Sequence, residues 1–145
     1  MRSIRVAAAW ICLAGLSFGQ SLAVKGDVES PVTLKAEDLA SMPREKSGEY
    51  EGVLLRDVLK KAGAPMDGKL RGAALTTYVL AQAKDGYQVI FSLGELDTAF
   101  GNEKILVADR QNGNPIPLRV VCADDKAGAR SVKMLETLEV VRLKK

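Results

Sequence analysis

The stretch PLRVVCADDKAGARSVKML, residues 117–135, decides the fold that we expect for this chain. It begins with an apolar run that contains Leu118, Val120 and Val121, and it continues into a loop of small residues. Apolar, β-branched residues in a short run predict a buried strand. Because binding residues concentrate on loops that a rigid scaffold positions, the loop is where we expect a ligand.

The second half of this stretch combines positive charge with small side chains. Lys126, Arg130 and Lys133 surround Ala127 and Gly128, which are too small to crowd a ligand. Free backbone N–H groups beside a guanidinium are the components of an oxyanion or phosphate site. Three cations in eight residues are equally typical of a solvated turn. Both interpretations stay open from the residues alone.

The first residues have the features of a secretory signal peptide. Arg2 and Arg5 precede the apolar run Val6–Leu16, which is too short to span a bilayer. Small residues at Ser21-Leu22-Ala23 suit signal peptidase, so we predict a signal peptide over residues 1–23, with Gly19 as a weaker cleavage site. A retained N-terminal anchor is the alternative. The mature protein is predicted to be periplasmic or secreted, with no membrane span.

Cleavage would leave residues 24–145, which is the size of one domain. Loss of Arg2 and Arg5 lowers the basic residues from 21 to 19 against 18 acidic residues, a net charge of +1. Few aromatic residues remain for stacking on bases. We therefore expect no nucleic-acid partner.

Composition excludes several kinds of catalysis. The chain has no histidine, which rules out Ser-His-Asp triads, Cys-His pairs and His-ligated zinc. After cleavage only Cys122 remains, so no internal disulfide is expected. Its position at the end of an apolar run predicts a buried structural thiol, with a ligand or reactive thiol as the alternative.

The remaining patterns predict short strands and short helices. Asp85-Gly86 is expected to form a two-residue type I′ turn, and Ser92 and Glu95 have the spacing of a capping box. We expect strands over Val32–Leu34, Leu75–Lys84, Tyr87–Phe91, Ile105–Ala108, Ser131–Leu135 and Leu138–Leu143, and helices over Glu37–Met42, Val53–Ala62 and Leu93–Ala99. Residues 25–30 and 44–50 are predicted to be irregular. The predicted class is α+β, a single domain with a mixed β-sheet and short peripheral helices.

Four pieces of the chain resemble, in order, the molybdopterin-binding domain of the sulfite oxidase type of oxidoreductases, in a short, stand-alone exported form. The pieces are Tyr50–Leu59, Asp85-Gly86-Tyr87 with Phe91–Asp97, Asn112–Val121, and Gly128–Lys133. The resemblance implies the fold of that domain and makes molybdopterin the cofactor to consider.

The resemblance also implies which residues would bind the cofactor. In the family, the segment similar to Gly128–Lys133 helps to hold the pyranopterin and its phosphate. Carried over, this implies Gly128, Arg130, Ser131 and Lys133 as cofactor-binding residues, with Lys126 and Arg119 as electrostatic support. The implied site agrees with the anion site suggested by the residues themselves.

The chain departs from the family at the metal ligand. Catalytic members place a cysteine thiolate on molybdenum in a segment just before the aromatic-x-Gly-Val piece, and here Arg44–Glu49 occupies that place without a cysteine. Cys122 lies in the wrong segment to replace it. We therefore predict no catalytic residue and no bound metal; an active protein would be a molybdopterin-dependent oxidoreductase.

Two functions follow as hypotheses. The first is a divergent exported molybdopterin-binding-like domain with a residual phosphate or pterin pocket and without redox catalysis. The alternative is a non-enzymatic periplasmic binding module for another small anion or for a redox or other exported partner protein. A purely structural role is the third possibility.

Overall fold

Short stretches with alternating polar and apolar residues form two β-sheets with few helices. A computed structural model describes residues 20–144. Its strands are β1 Ser21–Gly26, β2 Val32–Lys35, β3 Glu45–Ser47, β4 Tyr50–Leu54, β5 Thr77–Ala83, β6 Gln88–Ser92, β7 Leu106–Gln111, β8 Asn114–Val121 and β9 Leu135–Arg142. Its α-helices are α1 Ala36–Ala40, α2 Leu55–Lys61 and α3 Leu93–Leu96, and 3₁₀ helices cover Gly72–Thr76 and Gly128–Arg130.

The larger sheet is mixed and the smaller one is antiparallel. The first sheet has the order β2-β1-β9-β5-β6, in which β1 and β9 are parallel and the other neighbours are antiparallel. The second sheet has the order β3-β4-β7-β8. The predicted α+β class, with a mixed sheet in a single domain and short peripheral helices, is confirmed. The second sheet was not predicted.

The core lies where the two sheets and α2 meet. On β5 the residues Thr77, Val79, Ala81 and Ala83 are buried and alternate with half-exposed ones, as expected for a strand with one face in a core. Helix α2 buries Leu55, Val58 and Leu59. Each fully buried Val or Leu contributes about 1.5–3 kcal/mol relative to an exposed one, so this packing holds the sheets together.

The second sheet was missed because its first two strands do not look like strands. The predicted connector 44–50 contains β3, and the predicted helix Val53–Ala62 begins only at Leu55. At Gly52, between them, a Cβ atom would lie 2.0 Å from the Val107 carbonyl oxygen. The lack of a side chain lets β4 approach β7 here, beside a register shift between Glu51 and Gly52.

The predicted hairpin of β5 and β6 is present, but its type I′ turn is wrong. Ala83 N–H donates to Tyr87 O, Gly86 N–H donates to Ala83 O, and of the central residues only Gly86 has a positive φ, of 91°. This is a type I turn followed by a glycine bulge. The β7–β8 hairpin has the type I′ signature instead, because Asn112 and Gly113 both have positive φ.

Two further boundaries differ from the prediction. The capping box at Ser92 and Glu95 is confirmed, but α3 ends at Leu96 because Asp97 has an extended backbone, and its buried side chain accepts the Ala99 and Asp67 N–H groups. The predicted strand Ser131–Leu135 is wrong. Met134, with a φ of 54°, breaks the extended backbone, and β9 begins at Leu135.

Strand β1 overlaps the predicted signal peptide. Residues 1–19 lie outside the described part of the chain, but Leu22 and Val24 are 0% and 1% exposed, between β2 and β9. The prediction that residues 25–30 are wholly irregular is wrong, because Lys25 and Gly26 belong to β1 and pair with β9. Cleavage after Ala23 would remove three of the six residues of this strand.

Candidate functional site

Loop 122–133, the predicted ligand site, is held against the β5–β6 hairpin. The Tyr87 hydroxyl donates a hydrogen bond to the Ala129 carbonyl oxygen. The Cys122 N–H donates to Ser131 Oγ at 3.4 Å, and Val120 N–H donates to Val132 O. These contacts position the predicted residue Ser131 within the fold.

Arg130 lies in this loop inside a group of three carboxylates. Its Nε and Nη2 donate to Asp125 at 2.8 Å each, and Nη1 donates to Glu95 Oε2 at 3.1 Å. Glu103 Oε2 lies 3.7 Å from Nη2, and the guanidinium carbon lies 5.2 Å from the centre of the Phe91 ring. We call Arg130, Asp125, Glu95 and Glu103 the Arg130 cluster.

The Arg130 cluster is electrostatically satisfied by its own residues. One positive charge faces three negative ones. Hydrogen bonding to Asp125 raises the pKa of Arg130, and the same bond lowers the pKa of Asp125. Charge-assisted, bidentate pairs of this kind are the strong ones. An incoming phosphate would have to displace a carboxylate from Arg130 and would meet the repulsion of the others.

The other predicted cationic residues do not join the Arg130 cluster. Lys126, Gly128 and Lys133 are exposed, and Lys133 contributes a backbone bridge to Arg119. Arg119 Nη1 donates to Tyr50 Oη at 3.0 Å, and its guanidinium carbon lies 4.9 Å from the Tyr50 ring centre. The side chain of Arg119, on β8, is therefore held by an aromatic partner on β4 of the same sheet.

Cys122 is a buried, protonated thiol. It is 9% exposed, its Sγ lies 3.8 Å from the Arg130 carbonyl oxygen, and burial raises its pKa to about 11. The hollow beside it has a volume of about 10 Å³, which is room for roughly one water molecule. The predicted structural role of Cys122 agrees with this geometry.

The Cys122 thiol and the acidic side chains of residues 20–144 are not arranged to ligate molybdenum. Thiolate, not thiol, is the metal ligand, and the raised pKa of Cys122 disfavours the thiolate. Within residues 20–144 no group of three Cys, Asp or Glu side chains is arranged to hold a metal ion. The hollow beside Cys122 is also far smaller than a pterin.

A larger concave surface lies elsewhere, between α1 and the ends of β7 and β8. We call it the α1 groove; its volume is about 870 Å³. Leu39, Ile116 and Leu118 contribute apolar surface, and Lys35 and Arg110 contribute positive charge. Volumes of roughly 300–1,000 Å³ with apolar walls and a few polar groups are typical of small-molecule sites.

Arg44 forms part of the wall of the α1 groove. Its Nη1 donates to Asp109 Oδ2 at 3.0 Å and Nη2 donates to Asp109 Oδ1, while Glu51 Oε1 lies 3.5 Å from Nε. Hydrogen bonding to Asp109 raises the pKa of Arg44. We call these two residues the Arg44 pair. Sequence reasoning noted Arg44 only because its segment lacks a cysteine, and no local pattern pointed to Asp109.

Comparison with known protein families identifies the family of this chain. A sequence model of the oxidoreductase molybdopterin binding domain matches residues 46–145, more than half of the chain. The chain belongs to that family, as predicted. No curated protein sequence matches the chain.

A solved structure with this fold is the sulfane dehydrogenase SoxCD from Paracoccus pantotrophus. It superposes with a TM-score of 0.65 at 18% sequence identity over 86% of this chain. At that identity the similarity establishes the fold. The chain corresponds to 38% of the SoxCD chain, so it spans much less than that protein.

Among residues 20–144 we find no helix with the length and hydrophobicity needed to cross a bilayer.

Proposed function

We propose that this chain is an exported, non-redox member of the molybdopterin-binding domain family that binds a small organic anion in the α1 groove. The observation that carries the proposal is the contrast between Arg130, which three carboxylates of this chain already surround, and an open groove with positive charge at its rim. The fold of the family is kept, and the α1 groove is the ligand site that we propose.

The first support is the chemistry of the Arg130 cluster. Asp125, Glu95 and Glu103 already occupy the hydrogen-bonding side of Arg130, and the thiol of Cys122 stays protonated. Molybdenum chemistry needs a sulfur ligand and a bound pterin, and these residues supply neither. Redox catalysis is therefore not part of the proposal.

The second support is the composition of the α1 groove. Leu39 and Leu118 are 2% and 3% exposed and form apolar floor, while Lys35 lies exposed at the rim. Among the charged residues that line the groove, Arg44 and Asp109 cancel, and Lys35, Glu37 and Arg110 sum to +1. A ligand with an apolar body and one negative group would match this surface.

A residual pterin-phosphate site in loop 122–133 is the second candidate, because the family match favours it. Gly128, Arg130, Ser131 and Lys133 would then contact the phosphate, with Lys126 and Arg119 in support. This requires Arg130 to exchange a carboxylate for phosphate, since the three acidic partners surround it.

Export through a signal peptide remains part of the proposal. The burial of Leu22 and the pairing of β1 favour processing after Gly19 over processing after Ala23. The Gln20 side chain accepts a hydrogen bond from Leu118 N–H at 3.0 Å, so that cut would also keep this contact. The mass of the mature chain from an exporting host measures the processing site directly.

Fluorescence of 8-anilinonaphthalene-1-sulfonate, an apolar aromatic anion, tests the groove. We expect binding to the wild type and loss of binding in Ala40→Trp, because Ala40 lines the groove and the indole would fill it. Ala73→Trp is the matched control, since Ala73 is exposed in the 3₁₀ helix Gly72–Thr76. Equal binding by both variants, or no binding by the wild type, would contradict the proposal.

Inorganic phosphate provides the test of the second candidate. Thermal stabilisation by phosphate that disappears in Arg130→Lys, and persists in Ala40→Trp, would favour loop 122–133 as the anion site. We expect no such stabilisation, because the Arg130 cluster already carries excess negative charge.

A further inference from the structure

The two sheets leave four edge strands, β2, β6, β3 and β8, and three of them carry features that discourage pairing with another chain. Pro31 precedes the four-residue strand β2, which ends in Lys35. Strand β3 is three residues long and contains Glu45 and Lys46. Short length, charge and proline are the devices by which natural sheets protect their edges.

Strand β8 is protected in two ways. Pro115 and Pro117 lack N–H donors in its first half. In its second half, Leu118 N–H donates to the Gln20 side chain and Val120 N–H donates to Val132 O. Its edge is therefore either without donors or covered by other parts of the same chain.

Strand β6 has none of these features. Its sequence, Gln88-Val89-Ile90-Phe91-Ser92, contains no charge and no proline, and Ile90 at its centre is 56% exposed. Uncharged β-branched and aromatic residues in an edge strand form a template for a further strand.

The hydrogen-bonding pattern of the β5–β6 hairpin shows which backbone N–H and C=O groups of β6 face β5 and which face outward. Ala83 and Tyr87 are hydrogen-bonded, and bonded pairs alternate along an antiparallel ladder, so Val89 and Phe91 bond to β5. The N–H and C=O groups of Gln88 and Ile90 consequently point away from the sheet. The Ser92 N–H also points away, and it donates to the Glu95 side chain.

We propose that β6 pairs antiparallel with β6 of a second copy of this chain, with Ile90 opposite Ile90. In that register the two Ile90 residues exchange two backbone hydrogen bonds, and each Gln88 lies opposite Ser92 of the other copy, whose backbone groups are already used at the start of α3. The strand is self-complementary because it is neutral and because Ile90 is its central residue.

The solvent-facing side chains extend the same contact. Leu80 lies opposite Ile90 in the β5–β6 register, and Tyr78 lies opposite Ser92; both are half-buried. Pairing of two β6 strands joins these residues into one apolar patch across the two copies. A charged peptide from another protein would find no counter-charge on β6, which is why a second copy is the occupant we choose.

Disulfide trapping tests the register. In an antiparallel bonded pair the Cα atoms lie about 5.5 Å apart, which is within the range for a disulfide. Ile90→Cys is expected to cross-link two copies under mild oxidation. Gln88→Cys is the matched control, because each Gln88 faces Ser92 and the two Gln88 residues lie four positions apart in register. Cross-linking of both variants alike, or of neither, overturns the proposed pairing.

Sedimentation equilibrium tests the association itself. We expect the full wild-type chain to approach twice the mass of one chain as concentration rises, and Ile90→Lys to keep the mass of one chain, because two like charges would face each other. Leu75→Lys, a change at a residue 47% exposed in the 3₁₀ helix Gly72–Thr76, should behave as the wild type. Circular dichroism checks that all variants fold.

A wild type that stays at the mass of one chain up to roughly 1 mM overturns the proposal. Association that Ile90→Lys leaves intact overturns it as well, since the contact would then lie elsewhere. Both results are independent of anion binding in the α1 groove.

Discussion

The Arg130 cluster and the Arg44 pair use the same interaction to different effect. In each, a guanidinium makes a bidentate contact with an aspartate and lies near further acidic groups. The hollow lined by Asp125 and Glu103, two partners of Arg130, has a volume of about 10 Å³, whereas Arg44 itself lines a groove of about 870 Å³. An arginine that is bound to carboxylates can close a site or form its wall, and only the surrounding volume distinguishes the two.

The largest effect is expected from Arg130→Ala. Removal of the guanidinium leaves Asp125, Glu95 and Glu103 close together without a counter-charge. Since hydrogen bonds to charged groups contribute about 1.5–3 kcal/mol, we expect the free energy of unfolding to fall by about 3 kcal/mol. Urea denaturation measures this. Lys126→Ala, at an exposed position of the same loop, should change stability by less than about 0.5 kcal/mol.

If Arg130 were instead held in reserve for a ligand, Arg130→Ala would leave the ligand-free protein as stable as the wild type. That outcome would contradict the structural role we give to the Arg130 cluster.

A smaller loss of stability is expected from Arg44→Ala. It removes the contact with Asp109 and leaves one further carboxylate, Glu51, close by, where Arg130 has two, so we expect about 1.5–2 kcal/mol. The distinctive effect should be on the α1 groove, where binding of the anilinonaphthalene sulfonate should weaken. A variant that loses stability and binds the dye as the wild type does would separate Arg44 from the proposed site.

The pH dependence of stability should show the contribution of the Asp125–Arg130 pair. Its pKa in the folded protein is lowered by Arg130, so the pair stabilises the fold above the unfolded pKa of roughly 4, and this contribution is lost as the pH falls through the lowered pKa. We expect Asp125→Asn to be less stable than the wild type at neutral pH and to have a shallower loss of stability in acid. Parallel acid profiles of the two proteins would contradict this.

Cys122 should produce the smallest effect near neutral pH, because its contribution depends on pH only in the alkaline range. Burial raises its pKa from 9.0 to about 11, so the unfolded chain ionises first and stability falls as the pH rises between these values. Cys122→Ala should remove this dependence. At pH 8 the native thiol should react with iodoacetamide far more slowly than the thiol in urea; equal rates would show that it is accessible and ionised.

The fold was predictable to the extent that its signals are local. The β5–β6 hairpin follows from Asp85-Gly86 between two β-rich runs, and the capping box follows from two residues three positions apart. The second sheet was not predictable in the same way. Strand β3 is charged, and β4 contains Gly52, which is needed because a side chain there would collide with the backbone of Val107 on β7.

The predicted site illustrates the same limit. The cations of loop 122–133 and the nearby Asp125 are visible in the sequence, but the second carboxylate partner of Arg130, Glu95, lies 35 positions away, and Asp109 lies 65 positions from Arg44. Positive charge can be counted from sequence, whereas its neutralisation by distant residues requires the fold. The sequence of loop 122–133 therefore predicted an anion site, and no sequence pattern indicated the α1 groove.

The most direct test of the account is the molybdenum and pterin content of the chain purified after export from a host that makes the cofactor. Mass spectrometry of the metal and fluorescence of the oxidised pterin measure both. We predict amounts far below one equivalent per chain, because the Arg130 cluster is closed and Cys122 is protonated. Close to one equivalent of each would contradict the account.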